Sequence, residues 1–104
     1  MRKIINIDLS TPYVIICTFE NGEIRNLDLE KVLDKTNKYA IKIFNEKVFK
    51  TGAIGENGEI LWENTAEIKT IEGDIIPCAY DICPDFAYIN STKIELESAN
   101  KIIL

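Results

Sequence analysis

Seventeen carboxylates and three thiols carry most of the chemical capacity of this 104-residue chain, which contains no histidine. Without an imidazole, serine–histidine and cysteine–histidine nucleophiles, histidine general bases and histidine-ligated zinc are all excluded from it. Cys17 sits in an apolar run, where cysteine behaves as a small buried hydrophobe. Cys78 and Cys83 have four residues between them. That is not the redox spacing, and a zinc site would need further ligands. An odd cysteine count is no disulfide framework, so reduced thiols in a cytoplasmic protein are expected. Glu63, Glu67, Asp74, Asp81 and Asp85 could gather around a divalent cation. Hard cations require oxygen ligands at set spacing, and the EF-hand spacing is missing, so these acids read as a solvated face. No metal, cofactor or catalytic residue is expected.

Other strings fail on context. Gly52, Gly55 and Gly58 recur every third residue, but no Lys-Ser/Thr pair follows to complete a phosphate loop, so they read as turn glycines. Lys50-Thr51-Gly52 and the serine motif at residues 98–101 match two serine β-lactamase signatures in the wrong order. Asn90-Ser91-Thr92 is a glycosylation sequon without meaning in a cytoplasmic chain. Trp62, the single tryptophan, ends a strand beside Glu63, and its large area favours the core over a ligand platform.

The elements positioning these residues can be read from local pattern. Residues 3–9 alternate, with Ile5, Ile7 and Leu9 on one side and Asn6 and Asp8 on the other, which predicts a half-buried strand. Residues 13–20 are rich in β-branched and aromatic side chains, as a central strand is. Asn21-Gly22 then marks a tight primed hairpin turn into a third strand at residues 23–27. Asp28 caps a short helix, with Leu27 and Val32 as a hydrophobic staple. Asn45 caps a second, bracketed by Phe44 and Phe49. Asn57-Gly58 predicts a second hairpin ahead of Trp62, and Gly73-Asp74 a third within residues 67–76. Pro77 bars a central strand there. Pro84 suits the first turn of another helix, running through Phe86 and Tyr88. The expected fold is α+β, an antiparallel meander with hairpins and two or three short helices packed on one face. Residues 1–91 form one domain in this reading, with 63–79 as an inserted hairpin. Residues 92–104 form a C-terminal tail packed on the domain or on a dimer mate.

At 46% hydrophobic and 28% charged, the composition is that of a soluble globular domain. No stretch approaches the ~20 apolar residues of a membrane span, and Asn6 and Asp8 interrupt any signal-peptide core. The net charge of -5 disfavours direct nucleic-acid binding, whose affinity comes from Lys and Arg on phosphates. Charge is unevenly spread: residues 1–51 carry nine basic and seven acidic side chains, residues 52–104 three and ten. The acidic half would speed encounter with a basic partner.

Residues 13–29, with Phe19, Asn21, Gly22, Asp28 and Leu29, resemble the opening of the small bacterial domain-of-unknown-function family 2442. Residues 44–49 are similar to its short helix ending in Phe, Ile60-Leu61-Trp62 to its Ile-x-Trp strand, and residues 80–88 to its closing Asp-Ile-x-Pro element. The resemblance covers roughly residues 3–91, and residues 63–79 depart from it as an added segment. It implies an α+β domain with no known catalytic residues. Some relatives carry a helix-turn-helix, and some are encoded beside small toxin-like proteins.

The leading expectation is a cytoplasmic, non-enzymatic protein-interaction module, antitoxin-like toward a small basic protein. Its surface would hold Trp62, Glu63, Glu67, Glu72, Asp74 and Tyr80, where acids and a sheet edge suit charge pairing or strand addition. Two alternatives stay open. One is a small-molecule or metal-binding protein with a pocket near Trp62 and Tyr80. The other is an accessory transcription regulator acting through a partner, supported by Lys35, Lys38, Lys42, Lys47 and Lys50. A homodimer through Ile102, Ile103 and Leu104 would cover an apolar tail.

Overall fold

The computed structural model describes residues 2–95. The chain is α+β, with two antiparallel sheets and three short α-helices. The first sheet has the order β1 (Ile4–Asp8), β2 (Val14–Phe19), β3 (Ile24–Asp28), β7 (Thr92–Lys93). The second has the order β4 (Ala53–Ile54), β5 (Ile60–Lys69), β6 (Ile75–Ile82). The helices are α1 (Leu29–Val32), α2 (Glu46–Phe49) and α3 (Pro84–Ile89), with a 3-10 turn at Ala40–Ile43. None is long and apolar enough to cross a membrane.

Alternation places Ile15, Cys17 and Phe19 of β2 in the core, as a central strand requires. On β1 the expected face is revised. Ile4 pairs with Phe19 but Asn6 pairs with Thr18, so Ile5 is the extra residue of a bulge. The bulge shifts the phase by one, leaving Ile4 buried and Ile7 packed on the core while Ile5 is turned outward. The helix caps follow their sequence signals. Asp28 accepts from the Glu30 amide at 3.1 Å, and Asn45 from those of Lys47 and Val48 at 3.0 and 3.4 Å. Pro84 occupies the first turn of α3.

The three hairpins with a glycine turn, β2–β3, β4–β5 and β5–β6, have three-residue loops, Glu20-Asn21-Gly22, Glu56-Asn57-Gly58 and Ile71-Glu72-Gly73. The flanking pairs are closed by Phe19 N to Glu23 O, Gly55 N to Glu59 O and Thr70 N to Asp74 O, at 2.8–2.9 Å. Only the closing glycine has positive φ, so each is a turn followed by a glycine bulge rather than the two-residue primed turn expected at Asn21-Gly22.

The core joins both sheets to the helices. Leu29, Ile43, Phe49 and Ala87 meet Ile4, Phe19, Ile60 and Trp62. Tyr13 sets its ring edge-on to Phe44 and Phe49, with centroids 5.2 and 5.4 Å apart. The sheets are stitched by one backbone bond, Ile4 N to Gly58 O at 3.1 Å. Residues 63–79 are the outer part of a single hairpin whose strands begin at Ile60 and end at Ile82. Of the segment expected to be a tail, Thr92 and Lys93 pair with Asn26 and Arg25 of β3. The apolar residues 102–104 lie outside the described residues, as does the serine motif at 98–101.

Candidate interaction surface

The β5–β6 hairpin leaves the core at a second bulge. Trp62 pairs with Tyr80 and Ala66 with Cys78, so three residues, 63–65, oppose Ala79 alone. Asn64 takes a positive φ of 57° there, which asparagine tolerates better than most residues. Thr65 Oγ1 donates to the Glu63 carbonyl at 3.1 Å within the same bulge. Thr65 and Ala66 are the last buried residues of β5, and every residue from 71 to 77 is exposed.

Beyond the bulge, side chains sort by the pairing. Ala66, Ile68, Ile76 and Cys78 share one face, which continues the core face of Tyr80 and Ile82 along β6. Glu67, Lys69, Ile75 and Pro77 share the other. Ile68 and Ile76 are 57% and 50% exposed, Ile75 is 62% exposed, and Ile71 at the tip is fully exposed. Apolar side chains are therefore exposed on both faces and at the tip, among acids, and a contiguous exposed apolar patch is the usual mark of a contact site. These isoleucines were not among the residues singled out from the sequence. The signal was there: apolar residues at 68, 71, 75 and 76 fall on both strand phases, so no face could be wholly polar.

The expected surface residues separate accordingly. Glu63, Glu67, Glu72 and Asp74 are exposed on the hairpin, the last closing its turn. Tyr80 is half-buried at its base, and burial together with Asp81 pushes its hydroxyl pKa upward. Trp62 corrects the expectation. It is completely buried, its indole N–H donates to the Phe49 carbonyl at 3.0 Å, and no partner can reach it.

An open cleft of about 300 Å³ at the hairpin base is lined by Leu33, Tyr80, Asp81, Ile82, Cys83 and Phe86, without Trp62. Asp85, one of the acids considered for a cation, lies 3.7 Å from the Arg2 guanidinium. Among the described residues no three His, Cys, Asp or Glu side chains come together to hold a metal. Cys17 is fully buried, which pushes its thiol up to about 12 and leaves it protonated and inert at neutral pH.

Strand addition is restricted by one residue. Thr70 and Asp74 form a hydrogen-bonded pair, so alternation makes Glu67–Pro77 a non-bonded pair whose backbone faces the free edges. Proline at that position offers the outer edge of β6 no N–H. The expected edge is therefore blunted in the middle.

A second charged region stands apart. Residues 31–50 carry six exposed lysines (31, 35, 38, 42, 47 and 50) against Asp34 and Glu46. Lys38 and Lys42 lie 5.0 and 5.6 Å from the Tyr39 ring centroid, and Ile41 beside them is 43% exposed. Compared with protein-family models, with curated proteins and with solved structures, this chain matches none.

Proposed function

We propose that this protein is a non-enzymatic interaction module of the cytoplasm, which uses the β5–β6 hairpin to hold a basic protein partner in the manner of an antitoxin. The observation that carries the reading is the hairpin beyond the bulge, where four exposed isoleucines stand among acids. Residues 63–81 contain five acids and a single lysine, a balance of -4. Such a surface steers a cationic partner into place and then excludes water around the apolar contacts. The chain's lack of histidine and the resemblance to family 2442, some of whose members neighbour toxin-like proteins, support the same reading.

The test is affinity capture of the tagged protein from its own host across a salt gradient, beside the variant E67K/E72K. A stoichiometric basic partner that wild type retains at low salt, salt releases, and E67K/E72K fails to hold is the expected result. Recovery of no such partner at any salt, or equal recovery by the variant, overturns the proposal.

A further inference from the structure

We infer that this chain also pairs with a second copy of itself, the acidic hairpin of each protomer seated against the lysine-rich lobe of the other. Residues 31–50 hold six lysines and two acids, a balance of +4, which matches in size the -4 of residues 63–81. Among the described residues, only Lys35 of the lobe and no acid of the hairpin is spent in an ion pair inside one chain. The ion pairs among the described residues are Arg2–Asp85, Arg25–Glu23 and Lys35–Glu30, and none uses a hairpin acid. The lobe also has an apolar centre, Tyr39 and Ile41, between Lys38 and Lys42. It therefore offers cations around an apolar spot, the complement of isoleucines among acids.

Other ways of covering the hairpin with a second copy fit less well. Packing two hairpins face to face sets one -4 surface beside another and covers Ile68 and Ile76 while leaving Ile75 on the opposite face. Edge-to-edge pairing meets Pro77, which has no N–H to give. A two-fold axis, by contrast, forms two hairpin-to-lobe contacts at once and closes the assembly at a dimer. The inference rests on the hairpin being the contact surface, as proposed above, and adds a named occupant that competes with the basic partner.

The experiment is sedimentation equilibrium of the full chain in about 0.05 M and about 0.5 M NaCl, a range over which exposed charge pairs lose most of their attraction. The expected result is a reversible dimer at low salt, weakened about tenfold or more at high salt. K38E/K42E and E67K/E72K each weaken it by a similar factor. An equimolar mixture of the two restores a heterodimer, because one contact keeps its native -4 hairpin and +4 lobe while the other sets the two reversed patches against each other. Native Trp62 fluorescence reports that every variant is folded. A wild-type chain that stays monomeric up to about 1 mM at low salt overturns the inference. So does a dimer indifferent to both reversals, or a mixture that remains monomeric. K38E/K42E leaves the hairpin intact. Capture of a basic partner by that variant, or by a monomeric wild type, therefore separates failure of this inference from failure of the functional proposal.

Discussion

Tyr88 is held by two guanidinium groups over its ring and by a hydrogen bond at its hydroxyl. The guanidinium carbons of Arg2 and Arg25 lie 4.0 and 4.4 Å from its ring centroid, a doubled cation–π contact. Its hydroxyl donates to the Glu23 carboxylate, and Phe19 meets the ring edge-on at 5.1 Å. Arg25 extends the grip, donating from Nε and Nη2 to Ser91 and from Nη1 to Glu23, at 2.8–2.9 Å. This cluster ties the end of α3 to the first sheet, so its charge state bears on stability. The Tyr88 hydrogen bond, with help from Asn21, Arg25 and Lys93 and against partial burial, holds the Glu23 carboxyl below the usual carboxylate range. A lowered folded pKa contributes stability above the unfolded value of about 4.3, and loses it as pH falls through the folded value. The melting-temperature gap between wild type and Glu23→Gln is therefore expected to be widest near pH 6–7 and to close below about pH 4. A gap that stays constant down to pH 3 would show that the carboxylate's charge is irrelevant to the cluster.

At the level of elements, Gly58 and Gly73 fill the same place in two identical turns, yet they differ in what surrounds them. Both have positive φ, 76° and 93°. A Cβ on Gly58 would lie 2.6 Å from Lys3 Cβ and 2.8 Å from Lys3 Cα, whereas one on Gly73 meets nothing within 4 Å. Gly73→Ala should cost only the left-handed backbone penalty, about 1–2 kcal/mol, and Gly58→Ala that plus a displaced sheet junction, about 3 kcal/mol or more. Urea titration with an unchanged m-value checks the ranking, and equal losses would refute the role assigned to the junction. What was legible beforehand follows this division between local and distant causes. The caps at Asp28 and Asn45, the proline opening α3 and the places of the glycine turns, though not their type, each depend on a handful of neighbouring residues, and each was written in the sequence. The Ile5 bulge and the pairing of Thr92 with Asn26 depend on partners brought in from elsewhere in the chain. No local pattern encodes them. The candidate surface was half-legible for the same reason: its acids were plain, but its isoleucines resembled core until the fold left them uncovered.

The whole molecule is a sequestered core carrying two unlike charged surfaces. Leu29, Ile43, Phe49 and Trp62 are all at most 1% exposed, so the elements holding the lysines and the base of the hairpin are fixed to one frame. Neither surface depends on that frame for its charge, which is why reversal variants are expected to fold. The bulge at residues 63–65 has a consequence in time as well as in space. It interrupts the ladder between a base packed on Trp62 and an outer part with almost no burial, so the two need not open together. The backbone amides of Ile68 and Ile76 should exchange with deuterium through brief local openings, while that of Trp62 should wait for unfolding of the entire chain. Equal protection at all three would make the hairpin a single cooperative unit. The faster clock is the one expected, and it would give the tip freedom to reshape itself around whatever it meets.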